Sequence, residues 1–202
     1  MFYELTFNME RIDEAIKNGT NTIYAETTNV DEIEYAEIKK GFFDNIILSD
    51  CIIQEWPNVE FYYSSKASNI ESDFLLNIKR WPIIHKRVKD EFEKENIRGI
   101  KYYPVKLIDV VTKEINTNYY LMFVKNFIDA YDMNKSQYKY NEKYDFYNFL
   151  PHGIYLDSNI CSQYDIFRCK KSVSVLYVSD KIKNLIDSNL WIGFEFYKQK
   201  MI

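Results

Sequence analysis

VSVLYVSDKIKNLIDSNLWIGFEFY, residues Val173–Tyr197, is the stretch from which the fold can be read. Val173, Val175, Leu176, Tyr177 and Val178 have the branched and aromatic content of a strand. Ser179 follows as a helix N-cap, a residue type whose side-chain oxygen can satisfy a free N–H of the first turn. Ile182, Leu185 and Ile186 then fall at i, i+3 and i+4 and make one apolar stripe, which leaves Lys181, Lys183 and Asn184 for the solvent side. The helix is expected to stop near Ser188 or Asn189. Gly193 supplies a permissive backbone position, and the alternation of Phe194, Glu195, Phe196 and Tyr197 suits a last strand paired back onto the sheet.

The same order of strand, helix, glycine and strand occurs earlier. Laying Ile84–Tyr103 on Val178–Tyr197 without gaps sets Val88 on Ile182, Lys89 on Lys183, Phe92 on Ile186, Gly99 on Gly193 and Tyr103 on Tyr197. The identities are few, and chance likeness between two such units competes with duplication, so the consequence is modest: both helices should cover the same kind of sheet face. Between the two units, Ile100–Val111 and Tyr119–Ile128 alternate on either side of a polar turn, Thr112–Asn118, as a long antiparallel hairpin does. The fold class that results is α+β. A mixed, mainly antiparallel sheet takes strands from about 100–111, 119–128, 173–178 and 194–197, under a few short helices near 86–96 and 180–188.

Within 202 residues, a hydrophobic content of 47% and an aromatic content of 17% are enough for one substantial core, and a single domain over 1–202 is expected. No run of apolar residues is long enough to span a membrane, and Met1-Phe2-Tyr3-Glu4 has no basic region leading into an apolar one. A cytoplasmic protein without a membrane partner is expected. Cys51, Cys161 and Cys169 form no close pair, which predicts reduced, mostly buried thiols. The net charge of -4 hides a division: residues 1–78 hold 15 Asp or Glu against 5 Lys or Arg, and residues 79–202 hold 15 against 21. An acidic piece is joined to a mildly basic one, which bears on partners more than on fold.

Phe2, Tyr3, Leu5 and Phe7 read as an opening strand and Met9–Lys17 as a short helix. The most acidic run follows, with Asp31, Glu32, Glu34 and Glu37; most such runs are simply solvated faces. Val59–Tyr63 is a further strand. Later, Tyr138, Tyr140, Tyr144, Phe146, Tyr147 and Phe149 lie among Lys135, Lys139 and Lys143. Aromatics interleaved with lysines can stack bases, but a single short patch on an acidic chain argues for core packing or a tyrosine-rich protein interface, and nucleic acid is not the expected partner.

His85, His152 and Cys161 are the residues closest to chemistry. Cys161 and His152 could form a nucleophile and base only if the fold brought them together. No metal motif, phosphate loop or serine elbow is present, so no catalytic residue, metal or cofactor is expected.

Several pieces together carry a resemblance: Asp165-Ile-Phe-Arg168, the strand end at Val178-Ser179, the amphipathic helix, the glycine-aromatic-Glu-aromatic ending, Trp81-Pro-Ile-Ile84, Tyr103-Pro104, and Phe127–Asp132 before Ser136-Gln-Tyr138. This pattern, over Phe74–Tyr197, resembles the eleventh family of immunity proteins of bacterial polymorphic toxin systems; nothing before Phe74 contributes to it. The resemblance implies a protein that neutralises a cognate toxin by occluding it. Charge adds that the acidic first third suits a basic toxin surface. The interface is therefore placed on residues 26–60, with Glu32, Glu34, Glu37 and Asp44 as contacts and Phe43 and Trp56 as aromatic anchors. The alternative is a small-ligand or enzymatic domain on the same α+β scaffold.

Overall fold

Adjacent residues on the central strands are buried in different cores, which can happen only if both faces of a sheet are covered. In a computed structural model that describes residues 1–8, 22–33, 53, 55–150 and 152–202, Ile83 packs in one apolar cluster and its neighbour Ile84 in another. Leu121 and Phe123 likewise face the first cluster, and Met122 and Val124 the second. The helix expected over Met9–Lys17 lies outside the described residues.

Two larger sheets result. One has seven strands in the order β2 (Tyr24–Ala25), β5 (Phe74–Asn77), β6 (Ile83–His85), β8 (Ile115–Val124), β7 (Ile100–Asp109), β4 (Glu60–Tyr63) and β3 (Thr27–Thr28). The other has five: β15 (Phe194–Lys198), β1 (Phe2–Phe7), β14 (Ser172–Ser179), β13 (Ile166–Cys169) and β9 (Phe127–Ile128). Two small pairs complete the description, β10 (Tyr138–Asn141) with β11 (Phe146–Phe149), and β12 (Tyr155–Leu156) with β16 (Lys200–Met201). Among the described residues the α-helices are α1 (Lys86–Lys94), α2 (Ser158–Cys161) and α3 (Asp180–Ser188). The protein is α+β with mostly antiparallel pairing, but the four strands expected in one sheet are divided between two. The second cluster joins them: Phe74, Ile84 and Met122 from the larger sheet meet Leu5, Leu176 and Val178 from the smaller, with Val88, Phe92, Ile182 and Ile186 from the helices.

Two boundaries moved for identifiable reasons. The hairpin turn is shorter than expected because the Asp109 carboxylate accepts the Val111 N–H at 2.9 Å and the Thr112 hydroxyl at 2.8 Å, closing the turn at once. The strand expected to continue to Ile128 ends at Val124, since Asn126 leads the chain into the other sheet. Its side-chain amide donates to the Ile166 carbonyl at 2.9 Å, its own carbonyl accepts the Arg168 N–H at 2.8 Å, and β9 then runs parallel to β13.

In the earlier strand-helix-strand stretch, β6 and β7 are parallel to each other with β8 inserted antiparallel between them. In the later one, β14 and β15 flank β1 in the same way. Val88 and Phe92 are buried on α1, Ile182 and Ile186 on α3. Each helix ends on a residue in the left-handed region, Asn96 (φ 56) and Leu190 (φ 55). The next N–H bonds back to a carbonyl five residues earlier, Ile97 to Phe92 and Trp191 to Ile186, which is the Schellman pattern. Ser179 holds the N-cap position of α3, but its hydroxyl donates to Asp165 at 2.9 Å rather than capping. At Gly193 (φ +100) a Cβ would lie 2.4 Å from the Phe74 carbonyl oxygen, so only glycine allows this loop to rest on β5.

Candidate functional site

The acidic face begins where β3 meets β4. Asn29 staples the two, its side-chain oxygen accepting the Glu60 N–H and its amide donating to the Asn58 carbonyl, both at 2.9 Å. Val30, wholly buried, pins the 3-10 turn Val30–Glu32 to the first core and leaves Asp31 and Glu32 exposed. Asp31 lies 2.6 Å from the Lys79 ammonium. Tyr62 donates its hydroxyl to Glu60 at 2.6 Å, which, with burial and the charges of Glu60 and Glu32, pushes its phenol up to about 12. Glu32 thus lies exposed on a turn held by Val30. Of the other expected contacts, Glu34, Glu37, Phe43 and Asp44 lie outside the described residues.

Trp56 is half-buried and closes one side of the first core. Its indole donates to the Pro104 carbonyl at 2.7 Å and its ring stacks on Tyr103 at 4.4 Å. These contacts hold the ring in place within the protein, so part of its area is already occupied.

A second surface is the hairpin β10–β11. Its turn is closed by Asp145 in the left-handed region (φ 47), whose carboxylate accepts the Tyr140 hydroxyl at 2.7 Å and raises that phenol's pKa. Tyr138, Tyr140, Tyr144 and Phe146 are exposed, Tyr144 at 69%. Tyr147 packs on Tyr140 at 4.7 Å and Tyr138 at 5.3 Å, while Phe149 meets Tyr131 edge-on at 4.7 Å and anchors the hairpin to the third core. A cleft of about 500 Å³ lies alongside, lined by Tyr147, Phe149, His152, Glu4 and Lys200. Burial raises the Glu4 carboxyl pKa there, against the opposing charge of His152.

The residues closest to chemistry sit apart in role. His85 caps α1, its Nδ1 accepting the Arg87 N–H at 3.3 Å, and its ring meets Tyr119 edge-on; burial lowers its pKa. His152 occupies a left-handed turn (φ 56), where its carbonyl accepts the Lys200 ammonium at 2.9 Å. Cys161 is wholly buried and its thiol is pushed up to about 12 by burial, far from the thiolate that nucleophilic attack needs. Among the described residues, no group of three His, Cys, Asp or Glu side chains could hold a metal, and no helix is long and apolar enough to cross a membrane.

Sequence reasoning overlooked three buried charges, Asp73, Asp109 and Arg168, at 1%, 1% and 3% exposure. The signal was present for Arg168: a cation inside the wholly buried run Ile166-Phe167-Arg168-Cys169 demands a partner or a purpose. No curated protein matches the chain. The model of an immunity protein family, Imm11, matches residues 2–201, which extends the likeness through the acidic first third as well as the part after Phe74, and the chain belongs to that family.

Proposed function

We propose that the chain neutralises a cognate toxin of a polymorphic toxin system by binding and occluding it, without chemistry of its own, in the bacterial cytoplasm. The observation that carries this reading is the family match along nearly the whole chain, residues 2–201. Residues 1–202 act as one domain, and the two strand-helix-glycine-strand stretches form a repeated frame on which binding surfaces are displayed. The toxin meets the acidic first third, where Glu32 lies exposed on a turn held by Val30 and the sequence continues the run with Glu34, Glu37 and Asp44. A basic toxin surface, such as that of a nuclease, complements it. Phe43 and the partly covered Trp56 supply apolar contact.

The exposed rings of the hairpin favour a second placement, because aromatic side chains displayed on a rigid element are typical binding anchors. The test uses the toxin domain encoded next to this chain. Purified toxin should co-elute with the protein and its growth arrest should be relieved on co-expression; failure of both sinks the reading. Replacing Tyr140, Tyr144 and Phe146 by Ser should leave the complex intact if the acidic face is the interface. Loss of the complex in that folded variant would move the interface to the hairpin.

A further inference from the structure

Among the described residues Arg168 is a buried cation without a counter-ion. Its Nη1 donates to the Val173 carbonyl at 2.7 Å, and among the described residues its Nε finds no acceptor. The exposure of the whole residue is 3%. Removing a guanidinium from water with its hydrogen bonds incomplete is costly, and a neutral apolar side chain of similar length would avoid that cost. Burial pushes its pKa down to about 10, and among the described residues no carboxylate offsets that shift.

The same side chain lines a cleft of about 430 Å³ between the two larger sheets, together with Glu4, Thr6, Phe7, Arg80 and Pro82. Glu4 also lines the cleft, but among the described residues it makes no ion pair with Arg168, and burial raises its carboxyl pKa. Lys79 also lines the cleft and is matched by Asp31 at 2.6 Å. Arg80, exposed at the rim, lies at a left-handed backbone angle (φ 53) in the turn that its N–H closes on the Asn77 carbonyl at 2.9 Å. A deep cation, a rim cation and an apolar wall at Phe7 and Pro82 are the parts of a site for an anion with an apolar body.

We propose that this cleft binds a small organic anion, a carboxylate or phosphate ester, with its charged group on the Arg168 guanidinium and its apolar part against Phe7. Arg80 closes the rim over the bound group. The proposal is independent of toxin binding and neither depends on the other.

The test follows the side-chain Nε–H resonance of Arg168 in the full chain, assigned by its loss in Arg168→Lys. Benzoate and phenyl phosphate are titrated, with benzamide as the neutral isostere. At least one anion should move the resonance saturably and bind about tenfold tighter than benzamide, as a charge-assisted contact requires. Arg80→Asn, which also suits the left-handed backbone, should weaken that binding about two- to fivefold, as loss of an exposed ion pair does. Arg168→Met should fold with an unchanged or higher melting temperature and lose the anion preference. No saturable shift with either anion would overturn the proposal, as would equal affinity for benzamide or an anion preference that survives in Arg168→Met. If Arg168→Met fails to fold, the titration of the wild-type chain still decides.

Discussion

The Asp73 carboxylate accepts the backbone N–H of Ile192 at 2.9 Å, and its other oxygen pairs with Arg87 of α1. The Ile192 carbonyl returns the contact by accepting the Asp73 N–H at 2.9 Å. One buried side chain therefore ties the helix of the earlier stretch to the glycine loop of the later one. Asp73→Ala should lower stability by about 2 to 4 kcal/mol, because it strands the Ile192 N–H and leaves Arg87 unpaired. Arg87→Ala should cost a comparable amount, because it leaves the Asp73 carboxylate, 2% exposed, without its cation. Urea melts of both variants and of the double variant separate these contributions, and an unmoved midpoint for Asp73→Ala would refute the role assigned to it.

Leu190 combines a left-handed backbone with 84% exposure. A leucine there carries a steric penalty of about 1 to 2 kcal/mol without any burial to offset it. Asn96 holds the equivalent position after α1 and is a residue type that tolerates this conformation. Leu190→Asn should therefore raise the melting temperature, by the equivalent of roughly 0.5 to 1 kcal/mol. Differential scanning calorimetry would show it, and a lowered midpoint would mean that Leu190 has a contact not apparent from its exposure.

Asp109 predicts a pH response. Burial alone would raise its carboxyl pKa, but hydrogen bonds from Ser65, Val111 and Thr112 outweigh this and hold it well below the usual carboxylate range. A carboxyl depressed in the folded state contributes stability that is fully present above its unfolded pKa of about 3.9 and is lost as pH falls below that value. Stability should therefore drop between about pH 4 and the onset of acid unfolding, and Asp109→Asn should show a shallower drop from a lower starting level. Parallel pH profiles with equal slopes would exclude Asp109 as the titrating group.

Reversing Glu32, Glu34 and Glu37 to Lys should slow toxin association several-fold at low salt and flatten its salt dependence. Steering by exposed charges fades as the Debye length falls from about 10 Å at 0.1 M to about 3 Å at 1 M. The fold should survive at Glu32, because an exposed charge contributes little to stability. Stopped-flow association rates across a salt series read the effect, and an unchanged rate would mean that the acidic run only keeps the protein soluble.

What the sequence made legible follows from where patterns are local. The stripe of Ile182 and Ile186 depends on residues within a few positions of one another, and the helices begin and end close to where spacing placed them. The division into two sheets was not legible. It depends on β1 pairing with both β14 and β15, a choice between distant strands of similar composition that no local period encodes. The hairpin turn was misplaced because Asp109 closes it by side-chain hydrogen bonds, whereas polarity suggested a longer loop. At the candidate surfaces, the exposure of the hairpin rings and the burial of Arg168 both depend on which face of a sheet is covered, so composition named the residues without placing them.

The insertion of β1 between β14 and β15 also sets an order of events during synthesis. Residues 2–7 are made well before their two neighbours, so the backbone N–H and C=O groups of β1 must wait for their strand partners until β14 and β15 have been made. The seven-stranded sheet has no such delay at its centre, since β7 and β8 are joined by a tight turn. Closing the long loop between the chain's first strand and its last ones is entropically slow, which makes that step the natural point for a chaperone, or for aggregation through an unpaired apolar strand, to compete with folding.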